Sequence, residues 1–156
     1  MAPSLQNELG KRRPFEVVEQ EAMLALMRTS DLLENRMARL FREHGVTPTQ
    51  YNVLRILRGE GKPMPCLEVA QRMIQVAPAI TRVVDQLLKL DLITKTQSDT
   101  DRRVYEIDLT PAARKLLKKM DTPVIELHKK LMETVSKSDM KELVRILELV
   151  RSGIPA

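Results

Sequence analysis

The chain has 156 residues, a formal net charge of +5, 43% apolar and 30% charged side chains. That balance excludes a disordered or membrane-embedded chain, and the basic surplus favours a polyanionic partner. The length suits one compact domain.

No apolar run reaches the ~18 residues that a membrane span needs. The N-terminus lacks the apolar segment of a signal peptide. The lone cysteine, Cys66, excludes an internal disulfide, so the expected location is a reducing cytoplasm. Phe15, Phe41, Tyr51 and Tyr105 are the only aromatic residues, too few for a stacking platform on single-stranded nucleic acid.

In chain order, residues 1–14 are expected to be disordered. From Phe15 to Glu43, apolar residues recur at spacings of three and four, among them Val18, Met23, Leu26, Leu33, Met37 and Leu40. This predicts one long amphipathic helix that ends at His44-Gly45. Thr47-Pro48-Thr49-Gln50 opens the next helix, with Thr47 as cap, Pro48 in the first helical position and Gln50 reaching back. Val53, Leu54 and Leu57 are its core face, and Gly59 and Gly61 are expected to stop it. Lys62-Pro63-Met64-Pro65 reads as an extended connector.

Two short helices follow, near 67–74 and 78–90, the second starting at Pro78. Val69, Ala70 and Met73 face inward on the first; Ile80, Val83 and Leu87 face inward on the second. Leu92–Gln97 and Val104–Leu109 are strand-like, and Ser98–Arg103 between them is a hairpin tip. Thr110-Pro111 begins a further helix striped by Leu116, Leu117, Met120, Val124, Leu127 and Leu131. Pro123 is expected to kink or split it. Ser138 is expected to cap a last helix with Leu143, Val144, Leu147 and Val150 inward.

The order helix, helix, short helix, short helix, β-hairpin is that of a winged helix-turn-helix, whose second short helix enters the major groove. The fold expected is mainly α with a small β-hairpin wing. Its exposed face would be Ala79, Thr81, Arg82, Asp85, Gln86 and Lys89, a mixture of small, polar and basic groups suited to a groove. Three segments resemble the MarR (multiple antibiotic resistance regulator) family: Thr47–Leu54, Ile80–Leu87, and the hairpin tip Asp101-Arg102-Arg103 with Val104–Leu109 after it. With the flanking helices the resemblance covers about residues 15–150.

The resemblance implies a homodimer built from helices in 15–45 and 111–156, with 46–110 as the DNA-binding lobe. The long apolar stripes argue for the same dimer, because exposed in a monomer they would promote aggregation. A dimer would read double-stranded DNA at a near-palindrome, with half-sites about 10 base pairs apart. Recognition-helix contacts are then expected from Pro78, Ala79, Thr81, Arg82 and Gln86, and wing contacts from Thr100, Asp101, Arg102 and Arg103. Arg103 would enter the minor groove with Asp101 orienting it, and Arg102 would meet phosphate.

The sequence departs from the family pattern at Ile74 and Asp91, where glycines are usual, and at Val76-Ala77-Pro78-Ala79, where polar residues are common. Base contact by the first turn of the recognition helix is thereby put in doubt.

The family also implies a small anionic or phenolic effector. Met23, Met27, Met37 and Met64 are candidates to line its pocket, thioethers being adaptable. His44 and His128 lack the spacing of a metal site, and no cofactor or nucleophile motif is present. The chain is therefore expected to be a transcription regulator, such as a repressor, and not an enzyme. Cys66 is expected to be a small buried hydrophobe. The alternative from another class is a winged-helix module that docks protein without specific DNA binding.

Overall fold

A computed structural model describes residues 3–75 and 79–155. By its internal contacts the chain divides into two compact units, Met1–Met120 and Asp121–Ala156.

In the first unit, α1 (Leu5–Glu8) is one turn capped by Ser4, inside the segment expected to be disordered. Glu8 is paired with Arg28 at 2.9 Å. The long helix α2 (Val18–Glu43) starts three residues after Phe15. Its end is closed as expected. Gly45 takes the left-handed conformation (φ 78°), the Val46 N–H reaches the Phe41 carbonyl at 3.1 Å, and His44 Nδ1 lies 2.9 Å from the Leu40 carbonyl. Carbonyls that a helix end leaves open are thereby occupied.

Helix α3 (Pro48–Glu60) carries the expected capping box. The Gln50 N–H donates to Thr47 Oγ1 at 3.2 Å, and the Thr47 N–H donates to Gln50 Oε1 at 3.0 Å. Such a cap is worth about 1 kcal/mol. The helix runs through Gly59 and stops at Gly61, whose φ of 74° costs least for glycine. Val53, Leu54 and Leu57 are fully buried. Helix α3 is the hub of the lobe, packing against α2, α4 (Cys66–Gln71), α5 (Ile80–Lys89) and β3 (Tyr105–Leu109).

The connector expected at Lys62–Pro65 is partly a strand. β1 (Met64–Pro65) pairs with β3, and β2 (Ile93–Gln97) pairs with the other edge of β3, giving an antiparallel sheet of order β1-β3-β2. Met64 opposes Ile107, Pro65 opposes Glu106, and Lys95 opposes Ile107 across β2. Pro65 is tolerated because β1 is an edge strand.

Helix α4 is shorter than expected, and Val69 and Met73 are buried as its pattern implied. On α5, Val83 and Leu87 are buried, Ile80 only half-buried, and Val84, one helical turn after Ile80 and not among the residues expected inward, is an additional core residue. Leaving α5, Asp91 adopts φ 55°, the left-handed conformation for which a glycine is the cheaper residue and which aspartate tolerates.

Helix α6 (Pro111–Leu131) passes through Pro123 and is not split. Proline there removes one donor from the ladder and leaves the Lys119 carbonyl without that partner. Ala113, Leu117, Met120 and Val124 are buried, with Leu116, Leu127 and Leu131 half-buried. In the second unit, α7 (Lys137–Ser152) is capped by Ser136, not Ser138. Ser136 Oγ accepts from the Asp139 N–H at 3.1 Å, and Ser138 only touches that hydroxyl, at 2.8 Å. None of α7 is fully buried: Leu147 is half-buried, while Leu143, Val144 and Val150, expected inward, are exposed.

No described helix is long and apolar enough to cross a membrane.

Candidate nucleic-acid interface

Two elements of the first unit carry the residues expected to meet DNA: α5 and the tip of the β2–β3 hairpin. Ala79, Thr81, Arg82, Asp85 and Lys89 are all exposed, so α5 presents one polar, basic face while its other face enters the core. Gln86 differs. It is half-buried, and its Oε1 accepts from Gln50 Nε2 at 3.1 Å. Pro78, and with it Val76 and Ala77, lies outside the described residues.

Just before that gap, α3 holds the turn through two half-buried polar side chains. Asn52 Oδ1 accepts from the Ile74 N–H at 2.9 Å, and Thr49 Oγ1 donates to Gln75 Oε1 at 3.1 Å. Ile74 is 85% exposed.

At the hairpin tip, one carboxylate organises the turn. Asp101 Oδ1 accepts from the Arg103 N–H at 3.0 Å and from Arg103 Nε at 3.3 Å; Oδ2 accepts from Nη2 at 3.5 Å. The guanidinium is thus held from one side while the Arg103 side chain stays 92% exposed. Hydrogen bonds from the Arg103 backbone and then its side chain hold the Asp101 carboxyl below the usual carboxylate range. The carboxylate is therefore ionised across the whole neutral range. Thr100 and Arg102 are exposed beside it. Below the tip, buried Ser98 accepts from the Thr100 N–H at 3.4 Å, and Gln97 Nε2 donates to the Arg102 carbonyl.

Gln50, Ser98 and Thr110 are the buried polar residues among those described, and no buried side-chain polar atom there lacks a partner. Each braces an element of this surface. Gln50 lies beneath α5 and Ser98 beneath the tip. Thr110 Oγ1 donates to the Asp91 carbonyl at 2.8 Å and accepts from the Ala113 N–H at 3.2 Å, joining the end of α5 to the start of α6. Sequence reasoning named Gln50 only as a cap and missed its second bond, which spans 36 positions.

The candidate pocket methionines are not brought together. Met23 and Met27 are exposed on α2, Met37 is half-buried, and Met64 is fully buried. Met64 borders a cavity of about 430 Å³ whose other walls are Glu60, Lys62, Pro63, Pro65, Glu68 and Glu106. None of the other three methionines lines it. Cys66, expected to be buried, is half-buried, and burial pushes its thiol up; the Lys95 charge partly opposes this. No group of three or more metal-ligating side chains occurs among the described residues.

Known proteins resemble this chain in sequence and in structure. A family model described as MarR family matches residues 46–105. The HTH-type transcriptional regulator MhqR of Bacillus subtilis (strain 168) is 30% identical over 87 residues, and the HTH-type transcriptional repressor MdtR of the same organism is 32% identical over 90. Those matches take in 56% and 58% of this chain, and 59% and 57% of the relatives, so the chain spans under two thirds of their length. The crystal structure of a MarR transcription factor from Planctomyces limnophilus matches with a TM-score of 0.67 at 36% identity, over 87% of this chain and 99% of that one.

Proposed function

The chain belongs to the MarR family of winged-helix transcription regulators, and from that premise we propose that it binds a near-palindromic operator in double-stranded DNA as a homodimer. The observation that carries this reading is the hairpin tip. There Asp101 grips a guanidinium that is otherwise open to solvent, which prepares Arg103 for an external anion without collapsing it onto the lobe. A narrow minor groove is such an anion, and an arginine already oriented loses less freedom on entering it. Arg102 would then take phosphate, while Arg82 and Thr81 on α5 face the major groove with Gln86.

The dimer is supported by unfinished apolar surface. Val18, Met23 and Met27 on α2, and Val144, Leu149 and Val150 on α7, are all exposed large side chains. A second copy covers them most simply. The effector class implied by the resemblance is a small anionic or phenolic molecule, and the similarity to the transcriptional repressor MdtR favours repression. The relatives are transcription regulators, which supports a role without catalysis.

Arg103→Ala tests the carrying observation. Titrations at two salt concentrations should show weaker binding to operator and random duplex alike, with a salt slope shallower by about one unit. Arg82→Ala should instead cost about 1–3 kcal/mol on the operator and spare random DNA. If the native protein is not retained by heparin or duplex DNA, the protein-docking alternative replaces this reading.

A further inference from the structure

The hydrogen bonds beneath α5 fix which way the Gln86 amide faces. A glutamine amide can present its oxygen or its nitrogen, and the choice is set by its partners. Here the chain of partners begins at a group that can only donate, the Thr47 backbone N–H. It takes Gln50 Oε1 as acceptor at 3.0 Å, so the other end of that amide, Nε2, is a donor. Gln50 Nε2 in turn meets Gln86 at 3.1 Å, and only Oε1 of Gln86 can accept it. The Gln86 oxygen is therefore turned inward, and its NH2 group is the end left for the outer face of α5. Gln50 is 7% exposed and held at both ends, so this polarity is set before any ligand arrives.

We propose that Gln50 is a positioning residue that sets the polarity of Gln86, so that the recognition helix reads a base edge bearing acceptors, guanine or thymine. The inference rests on the DNA-binding reading above. Guanine offers N7 and O6 side by side, and thymine offers O4, whereas paired recognition of adenine needs the amide oxygen and nitrogen both aimed at the base. With its oxygen committed to Gln50, Gln86 has a donor to give.

Gln50→Glu reverses the logic while keeping the cap. A glutamate in this position of a capping box still accepts the Thr47 N–H. Its second oxygen then faces Gln86 as an acceptor, so the Gln86 amide must turn its NH2 inward and its oxygen outward. Gln86→Glu reaches the same outward polarity without touching a buried position. One carboxylate oxygen accepts from Gln50, and the other faces out.

The experiment is selection from a random duplex pool by the full-length native protein, Gln86→Ala, Gln50→Glu and Gln86→Glu, with thermal melts to verify folding. Gln86→Ala should flatten one column of each half-site, and that column should be guanine or thymine in the native pool. Both glutamate variants should move it to cytosine or adenine, whose exocyclic amines donate. If Gln86→Ala flattens no column, or if both glutamate variants keep the native base, the inference falls and DNA recognition stands. If Gln86→Glu moves the column but a folded Gln50→Glu does not, Gln50 is only a cap. Should Gln50→Glu fail to fold, the native base decides: guanine or thymine at the column that Gln86→Ala flattens keeps the inference, and adenine or cytosine there overturns it. A native pool without any enriched sequence overturns the DNA-binding reading, and this inference with it.

Discussion

The lobe from Val46 to Thr110 and the helices at the two ends of the chain both carry apolar stripes, yet α2 and α7 use theirs differently from the lobe. Inside the lobe the stripes close on one another: Val53, Leu54, Leu57, Val69, Leu87 and Ile107 are at most 1% exposed. Helix α2 fully buries only Phe41, stacked on Tyr51 with ring centroids 4.4 Å apart, and α7 fully buries nothing. The lobe completes its core within a single chain, whereas α2 and α7 leave large apolar side chains exposed, which the dimer proposed above would cover. Stability of the lobe should therefore be a property of the molecule, and stability of the terminal helices a property of its concentration.

The largest effect should come from the closed region. Leu54→Ala removes a side chain with no measurable exposure from the hub helix and should cost about 2–5 kcal/mol. Denaturant melts should show this loss undiminished at every protein concentration. The open region should respond in the opposite manner. Val144→Glu places a charge on the exposed stripe of α7 and should weaken self-association at least about tenfold, a carboxylate being costly to desolvate. Sedimentation at micromolar concentration should then move from near twice 17.9 kDa toward 17.9 kDa, with the lobe still folded. A variant that stays dimeric would remove α7 from the interface and break the contrast.

The smallest effect should be at Cys66, on the seam between the lobe's first short strand and α4. Thiolate is the reactive form, and burial raises the pKa above its ordinary value, so little thiolate exists at neutral pH. Reaction with peroxide should be slow near pH 7 and quicken as pH rises toward that raised pKa. Peroxide at neutral pH should leave DNA binding unchanged in both the native protein and Cys66→Ser. Release of DNA by the native protein alone would show that the thiol acts as a switch.

What could be read from the sequence divides by the distance over which each interaction acts. The capping box of Thr47 and Gln50, the Gly45 helix end and the Asp101–Arg103 clasp each join residues no more than five apart, and all three were legible. β1 was not. A two-residue strand has no period of its own, and its partner Ile107 lies far along the chain. The bond from Gln50 to Gln86 escaped for the same reason: nothing local marks a glutamine that bonds both to its own cap and to the next helix but one. Ser136 and Ser138 are both competent caps, and backbone geometry chose between them. Val84 shows a different failure: it stands four residues after Ile80, within helical spacing, yet only Val83 and Leu87 are expected inward beside Ile80.

Thr110 has a consequence for how such a molecule can change over generations. The Thr110 N–H reaches the Leu92 carbonyl at 3.1 Å, and its hydroxyl reaches the Asp91 carbonyl at 2.8 Å. The hairpin is thus fastened at its root, while the paired positions from Ile93 and Leu109 out to Gln97 and Tyr105 lock its shaft. The tip beyond them takes its shape from Ser98 and Asp101 within its own turn and from Gln97 at the end of the shaft, not from the root. Insertions, deletions or a transplanted sequence between Ser98 and Val104 can therefore accumulate without disturbing the sheet, α5 or the first turn of α6. Thr110 and Asp91 make the wing an interchangeable part, and lineages can retune its reach while leaving the machinery behind it intact.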